Sequence, residues 1–395
     1  MRRLILVLVA LVISCRFTLA QSEPSKPRVQ VSFVYPVGSS GFNSIEDTFH
    51  VSLNILAGAT GGVEGLEMGG FANFTNGSVE GVQLAGFSNV VNDSVKGVQA
   101  TGFANVTRGH VEGLQAAGFS NSALTDYHGA QVAGFANYTK DSLRGAQLAG
   151  FANVNTGGSV GLQAAGFTNY SMGARGTQIA GFANTNVGEL KGNQLAGFAN
   201  ISTSKTEGVQ IAGFINFARK IKGAQLGFIN IADSIDGVAV GFFSFARNGY
   251  HQLELSANET FHTNLSFRTG THHFYNVFSA AVRWNANDPV WAFGYGIGTR
   301  KEFKDKYALN AELSSYSVLP DNFDNQEWES LNKLQLSLAR EIGGNLEVFA
   351  GASFNMWLSE NLEPQHDYLP SKKYSGESGR VNWIMYPGFQ FGIRI

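Results

Sequence analysis

Hydrophobic and polar positions recur at a short and regular interval, close to sixteen positions, through the middle of the chain. A typical copy reads GVQLAGFSN from Gly81 to Asn89 and is followed by a short polar turn. Each copy opens with a glycine that lies 14 to 16 positions after the one before. The opening glycines are Gly65, Gly81, Gly97, Gly113, Gly129, Gly145, Gly161, Gly176, Gly192, Gly208, Gly223 and Gly237. A period this short and regular predicts a solenoid or an array of small units.

The repeat length favours one solenoid coil per copy. Sixteen extended residues span at most ~53 Å, enough for a flattened coil with two short strands and two bends, stacked in parallel at ~4.8 Å per coil. The alternative is that each copy is one strand and a turn of an antiparallel meander within a large barrel. A meander alternates two kinds of turn, whereas every turn here looks alike. The copy at 225–228 has also lost a residue against 210–214. A deletion within a strand would reverse every later side chain, but a bend can absorb it.

Parallel stacking places like residues above like residues and predicts three ladders. We expect stacked Asn and Gln amides to bond along the axis, and buried Phe side chains to contribute about 1.5–3 kcal/mol each. The central members are Phe87, Phe103, Phe119, Phe135 and Phe151, with Asn89, Asn105, Asn121, Asn137 and Asn153, and with Gln83, Gln99, Gln115, Gln131 and Gln147. These residues are interpreted as structural.

The polar turn of each copy carries most of the charge and also a neighbouring aliphatic residue. Glu80, Lys96 and Glu112 are typical of the charged position, and Val79 and Val95 of the aliphatic one. The pattern predicts charge outside the coil and the aliphatic side chain inside it.

Period-2 alternation replaces the repeat on both sides of residues 61–248. Two strand-like segments lie in the N-terminal region 21–60. Eight more, most of them longer, lie in the C-terminal region 249–395, with aromatic residues near their ends. Strands of ~9–11 residues with apolar-out and polar-in alternation are typical of outer-membrane barrels. The sequence therefore predicts an antiparallel barrel of 8 to 10 strands, to which the N-terminal strands could contribute. A soluble β-sandwich is the competing interpretation.

Residues 1–20 resemble a secretory signal peptide. Arg2 and Arg3 precede a short apolar core, and a small-residue cleavage site ends at Ala20. In a second interpretation, the residues before Cys15 form a lipobox and Cys15 carries lipid. Either route exports the chain from the cytoplasm. No later apolar run is long enough for a membrane helix of ~20 residues, so any insertion of the mature chain would have to be as a barrel.

Composition and motifs argue against a catalytic or nucleic-acid-binding protein. The net charge is −2, and charged residues are 15% of the chain, below the ~25% usual for soluble domains. The segment from Gly157 to Gly161 fits the nucleophile elbow GxSxG, but it lies in a repeat turn without the strand-to-helix context. His272 and His273 lack the cluster of further ligands that a metal site needs. We expect no catalytic, metal or cofactor-binding residue.

The GxQxAGFxN repeat over 61–248 resembles a surface-repeat family of spirochaete and Bacteroidetes-type envelope proteins. Residues 251–256 and 267–270 are similar to the companion domain of such proteins, and the terminal strand resembles an outer-membrane β-signal, although it ends in Ile395 where Phe is usual. The resemblance implies an envelope location and no known activity. The expected function is a structural, adhesive or partner-binding one at the outer membrane or cell surface. Expected partners are outer-membrane lipid and a surface glycan or protein. The alternative is a porin-like channel with the repeats as barrel strands.

Overall fold

A computed structural model describes residues 28–284, 289–303, 306–319, 329–360, 374–378 and 381–395. The proposed signal peptide, with Ala20 and Cys15, lies outside the described residues. Within them the fold is all-β apart from one 3₁₀ helix at Gly41–Ile45. None of the described helical residues forms a helix long and apolar enough to cross a membrane.

The repeats form a parallel β-solenoid of about twelve coils, as the period predicts. Each regular coil contributes a seven-residue strand and a four-residue strand. The strands of this sheet are β1 Val29–Val34, β2 Val37–Gly38, β3 Thr48–Thr60, β4 Gly62–Gly69, β5 Ala72–Thr75, β6 Val79–Ala85, β7 Ser88–Val91, β8 Val95–Thr101, β9 Ala104–Thr107, β10 Val111–Ala117, β11 Ser120–Ala123, β12 Tyr127–Ala133, β13 Ala136–Thr139, β14 Leu143–Ala149, β15 Ala152–Asn155, β16 Ser159–Ala165, β17 Thr168–Ser171, β18 Ala174–Ala180, β19 Ala183–Asn186, β20 Leu190–Ala196, β21 Ala199–Ala212, β22 Ile215–Leu226, β23 Ile229–Val240 and β24 Phe243–Ala246.

Neighbouring coils stack in register, with each residue beside its own copy. In β6 and β8, Gln83 pairs with Gln99 and Val79 with Val95. Val79, Gln83 and Val95 are at most 1% exposed, so the aliphatic turn residue lies inside the coil as predicted. The alternative in which the repeats are antiparallel meander strands is wrong, because the pairings between successive repeats are parallel.

The opening glycine bends the long strand of each coil. Gly113 has φ +138°, a conformation that side-chain-bearing L residues rarely adopt. A Cβ on Gly113 would also lie 1.9 Å from the carbonyl oxygen of Gly97 in the coil before. Both the bend and the close approach of the stacked backbones therefore require glycine at this position.

The shortened copy at 225–228 loses its residue at a bend and keeps the strand register on both sides. Ile211 pairs with Leu226 and Ile215 pairs with Ile229, although the second coil has one residue fewer between these strands. The bend that carries Phe228 absorbs the deletion, as predicted. Strand alternation on either side is unaffected.

The N-terminal strands belong to the solenoid. β1 pairs in parallel with β3 and antiparallel with β2, and β3 continues into the stack through β4 and β5. The expectation that residues 21–60 could help close the C-terminal sheet is therefore wrong for the described part of this region. The strands of this region form the beginning of the solenoid, because β1 stacks on β3 and β3 stacks on β4 and β5.

The C-terminal region forms a separate antiparallel sheet of nine strands. These are β25 Tyr250–Asn258, β26 Thr263–Gly270, β27 Tyr275–Arg283, β28 Val290–Phe303, β29 Tyr307–Leu319, β30 Glu329–Gly343, β31 Leu346–Ser359, β32 Tyr374–Ser378 and β33 Val381–Arg394. β25 pairs with β26 on one side and with β33 on the other. The short strand β32 pairs with the beginning of β33.

The last solenoid coil ends against this second sheet. The Ser244 amide donates to Asn276 Oδ1 at 3.0 Å, and Asn276 Nδ2 donates to the Gly241 carbonyl at 2.7 Å. The Thr269 hydroxyl donates to the Ser244 carbonyl at 2.9 Å. Backbone groups that would bond to another coil are thus bonded by side chains of β26 and β27.

Replacing Gly113 with alanine should destabilise the solenoid. The positive φ alone costs an alanine about 1–3 kcal/mol, and the Cβ would meet the Gly97 oxygen. Urea unfolding followed by far-ultraviolet circular dichroism measures the loss. Gly158→Ala is the matched control, because a Cβ there meets no heavy atom within 4 Å. Equal stability of the two variants would contradict this account of the bend.

Candidate functional site

The interior of the solenoid is built around hydrogen-bonded amides. Gln99 Nε2 donates to Gln83 Oε1 at 2.7 Å, and Gln115 Nε2 donates to Gln99 Oε1 at 2.7 Å. The series continues through Gln131 and Gln147 at 2.9 and 2.8 Å. Each of these side chains is fully buried, so its bonds are made in a water-free interior where an unpaired amide would be costly.

A second series of amides uses the asparagines. Asn89 Nδ2 donates to Asn105 Oδ1 at 2.9 Å, and the pattern repeats through Asn121, Asn137 and Asn153 at 2.9 to 3.0 Å. The same nitrogen also donates to a backbone carbonyl in the long strand of the next coil, as Asn105 does to Ala116 at 2.9 Å. Each asparagine therefore ties its short strand to both the asparagine and the long strand of the next coil.

The two amide series run in opposite directions. Each Gln donates toward the N-terminal end of the solenoid, and each Asn donates toward the C-terminal end. Aligned dipoles of one series therefore oppose those of the other. A directional series also needs a different group at each end, because its first donor must find an acceptor and its last acceptor has no further donor.

Glu67 is the acceptor at the N-terminal end of the Gln series. It occupies the Gln position of its coil, pairing with Gln83 in the strand register, and is fully buried. Its carboxylate accepts from Gln83 at 2.8 Å, Thr75 at 3.0 Å and Asn54 at 3.2 Å. A carboxylate only accepts hydrogen bonds, which suits the end of a donor chain. At the other end, the Gln225 oxygen has no partner among the described residues.

Burial is the main influence on the Glu67 carboxyl. It raises the pKa of Glu67 above its usual range, while hydrogen bonds from Gln83, Thr75 and Asn54 act in the opposite direction. The folded protein therefore binds this proton more tightly than the unfolded chain does.

The phenylalanines form a ladder, but on the surface. Twelve rings from Phe71 to Phe242 stack with centroids 4.7 to 5.9 Å apart and planes within 16° of parallel. We call this row the Phe ridge. Each ring is 41 to 49% exposed. The expectation of a buried Phe ladder is wrong, because Phe lies at the outer side of a bend. The interior at these levels is occupied by amides.

The surface beside the Phe ridge carries no charge. In each coil a segment of nine or ten residues follows the opening glycine and contains the Phe near its middle, for example 82–91 and 114–123. These segments hold no Lys, Arg, Asp or His, and their only Glu is the buried Glu67. The charges of the repeats lie in the turns between the segments, such as 92–96 and 140–144, which we call the charged edge. The solenoid is thus amphipathic along its whole length.

The second sheet has an inside-out distribution of side chains. In β30, Leu334, Leu336 and Leu338 are 48 to 57% exposed, whereas Lys333 and Gln335 between them are 0 and 6% exposed. The other long strands alternate in the same sense. Exposed large apolar residues on one face and buried polar residues on the other are the reverse of a soluble domain.

The buried polar face contains a balanced ion-pair cluster. Arg268 makes two bonds to Glu312, at 2.8 and 3.0 Å, and one ion pair to Glu254 at 2.7 Å. Arg394 pairs with the same Glu254 at 2.8 Å and lies 3.9 Å from the centre of the Phe349 ring. Two cations and two anions therefore neutralise each other, as buried charges must.

Little space remains between these side chains. The cavity lined by Glu254, Arg268, Glu312 and their neighbours has a volume of about 10 Å³, roughly enough for one water molecule. Toward the opposite end of the strands, the buried residues form an apolar cluster that includes Phe261, Trp357 and Tyr386. The buried face of the second sheet is therefore filled with packed side chains.

The serine and histidine residues of the other candidate motifs contact neighbouring side chains of the fold. Ser159 of the GxSxG segment begins β16, is 6% exposed, and its hydroxyl bonds to that of Ser171 at 3.1 Å. His272 contacts Glu302 at 3.5 Å. Among the described residues, no group of three His, Cys, Asp or Glu side chains could hold a metal ion.

Comparison with known proteins gives no relative. No family model, curated protein or solved structure matches the chain.

Three features of the structure were not predicted from the sequence. Glu67 could have been found, because it is a departure from the Gln of its repeat position. In the ion-pair cluster, Glu254 and Arg268 lie on the neighbouring strands β25 and β26, but Glu312 lies on β29, and no local pattern indicates its contact with Arg268. The bonding of Asn276 to the last coil likewise depends on how the two sheets meet.

Interrupting the Gln series should destabilise the chain. Gln131→Ala leaves Gln115 Oε1 without its donor and removes one acceptor from Gln147 Nε2, at about 1–3 kcal/mol for each buried group left unpaired. The measurement is urea unfolding. Asn193→Ala is the control, because Asn193 is exposed and its side chain accepts one hydrogen bond, from the Val209 amide. This substitution should change the free energy of unfolding by no more than about 0.5 kcal/mol. A neutral Gln131→Ala would contradict the role given to the amides.

Glu67 should make stability depend on pH. Because its pKa is raised in the folded state, its contribution is fully present below the unfolded pKa and is lost as pH rises through the folded value. Glu67→Gln removes this pH-dependent contribution to stability. The melting temperature of the variant, relative to that of the wild type, should therefore increase as the pH rises from the unfolded to the folded pKa of Glu67. Calorimetry at a series of pH values measures it. Glu80→Gln, at an exposed position, should show no such trend. A flat difference for Glu67→Gln would exclude the effect.

Proposed function

We propose that the chain is a non-enzymatic outer-membrane protein. The second sheet closes into an eight-stranded transmembrane barrel, and the solenoid is attached at one rim as a structural or partner-binding surface. The observation that carries the proposal is the inside-out alternation of β25 to β31 and β33, with leucines outward and charged side chains inward. Lipid favours an apolar exterior, and a buried polar interior is typical of membrane barrels.

Strand length and pairing support the barrel. The eight strands range from eight residues in β26 to fifteen in β30, and tilted strands of ~9–11 residues cross a bilayer. The first strand, β25, also pairs with the last, β33. A ring of pairs leaves no unsatisfied edge, which the hydrocarbon region requires.

Aromatic residues are distributed as an interfacial girdle would be. Trp291 begins the exposed face of β28, Tyr307 begins β29, and Trp383 lies near the start of β33. Trp and Tyr favour the level of the lipid headgroups because their rings are apolar with one polar group.

The lengths of the connections indicate the side on which the solenoid lies. At the rim that meets the solenoid, the connections 271–274, 304–306 and 344–345 are short. On the opposite side, 259–262 and 284–289 are also short, but 320–328 and 360–373 are the longest stretches between strands of this sheet. Outer-membrane barrels have short periplasmic turns and long extracellular loops. We therefore propose a periplasmic position for the solenoid, where it presents a surface within the envelope.

A channel is the second candidate and is less well supported. The repeats contribute no strand to the second sheet, so the barrel has eight strands, a size whose interior side chains can fill. The cavity of about 10 Å³ beside the ion-pair cluster is too small for an aqueous path.

Leu336→Arg tests the membrane assignment. At the bilayer midplane an outward arginine costs about 2–4 kcal/mol, so folding of the variant into phosphatidylcholine vesicles should be weakened by that amount. In a soluble sheet, arginine at this exposed position would change stability by about 0.5 kcal/mol or less. Urea titration of the vesicle-bound protein gives the free energy.

The control is Glu112→Arg, at an exposed position on the charged edge, which should have no effect. A wild-type protein that remains monomeric in buffer without detergent, with Leu336→Arg as stable as wild type, would contradict the barrel. Single-channel currents from folded protein in planar bilayers would instead favour the channel.

A further inference from the structure

We propose that the Phe ridge and the uncharged faces beside it bind the surface of the same bilayer that holds the barrel. The solenoid would then lie flat on the periplasmic leaflet, with its charged edge toward water. This inference rests on the proposed barrel. Its partner is the lipid of the surrounding membrane.

The first argument is the distribution of charge. Twelve rings stacked at ~4.8 Å make an apolar line ~53 Å long, and no exposed charged residue lies in the segments that carry it. Beside the ridge, Val132, Leu148 and Ile179 are also 38 to 43% exposed. A continuous exposed apolar surface of this extent is unusual for a water-soluble face, and an apolar face opposite a charged one is typical of elements that lie in the membrane interface.

The second argument is the direction in which the solenoid leaves the barrel. Coils stack along the direction of their hydrogen bonds, and the last coil presents Ser244 and Gly241 at the end of that stack. These groups bond to Asn276 and Thr269. Thr269 follows the inward Arg268 and lies on the same face as the exposed Phe267, so it points out of the barrel wall. The stack thus meets the wall end-on and extends sideways, along the membrane plane.

The third argument is which side of the solenoid faces the bilayer. Phe242, the last ring of the ridge, stacks on Tyr295 at 4.8 Å and contacts Phe278 at 5.8 Å. Phe278 and Tyr295 pair with each other two residues farther from the rim than Asn276. The end of the ridge therefore lies on the membrane side of the junction and continues onto the apolar exterior of the barrel.

The charged edge lies on the other side of the same coil. The turn after β24 leads directly into β25, whose His251 ring nitrogen bonds to the Ala246 carbonyl at 2.6 Å. Arg247 in this turn pairs with Asp233 of the previous coil at 3.3 Å. Since β25 begins at the short-turn rim, the charged edge faces the periplasm. Lipid contact is thus continuous from the barrel wall along the ridge.

The test uses a fluorescent label at single cysteines in a Cys15→Ser background. Full-length chains with Phe119→Cys on the ridge, Glu112→Cys on the charged edge, or Leu336→Cys on the barrel exterior are labelled with nitrobenzoxadiazole. Each is folded into phosphatidylcholine vesicles with or without lipid that carries a nitroxide on its acyl chain. Because interfacial apolar faces lie ~5–10 Å into the headgroup and acyl boundary, Phe119 and Leu336 labels should be quenched roughly twofold or more above the Glu112 label.

Three results would overturn the inference, and they are distinguishable. Quenching at Leu336 with none at Phe119 leaves the barrel intact and removes the lipid contact of the ridge. No quenching at either position contradicts the barrel itself. Disulfide-linked dimers of unlabelled Phe119→Cys in vesicles, without quenching, would identify a second copy as the occupant. Phe167→Cys repeats the ridge measurement, so that misfolding of one variant does not decide the outcome; circular dichroism checks each fold.

Discussion

The hydrogen bond between an amide and its own copy in the next coil is the constraint on which the solenoid depends. A buried Gln or Asn is stabilised when it has both a donor and an acceptor, and within the stack it has both because the neighbouring coils place the same side chain directly above and below it. The bond between Gln83 and Gln99, at 2.7 Å, forms at the ~4.8 Å spacing of the paired backbones and requires the register in which these two residues are neighbours. The glycine bends and the outward Phe residues are arranged around this alignment. A coil that shifted by one residue would break both amide series at once.

The solenoid was largely predictable because in-register stacking of its coils requires a regular sequence period. Superposition of like residues forces the same residue type every 14 to 16 positions, and the shortened copy at Phe228 already indicated where the chain bends. The position of Phe was not predictable in the same way. A bend residue and an interior residue recur with equal regularity, so periodicity alone does not say which side of the backbone Phe87 occupies. The amides of Gln83 and Asn89 fill the interior instead, an inversion of the usual preference.

The C-terminal strands were predictable from alternation, but their partners were not. Alternation identifies the face of each residue, as in Leu334 and Lys333, and it gave the number of long strands. It carries no information on which strand closes the sheet. The N-terminal strands show the same alternation as β25, yet they stack on the solenoid because the repeat backbone continues through them. Contacts such as Arg268 with Glu312 arise from tertiary pairing over 44 residues, which no local pattern encodes.

Stacking in register also makes the length of the solenoid independent of its ends. The first coil is covered by β2, the Gln series ends at the Glu67 carboxylate, and the last coil is covered by Asn276 and Thr269; none of these groups touches the middle coils. Duplication or loss of one sixteen-residue unit would therefore change the reach by ~4.8 Å without altering any cap. A gene for such a chain can lengthen or shorten by recombination between its own repeats and still encode a protein that folds. The span of the molecule is, in this sense, adjustable in evolution while its attachment stays fixed.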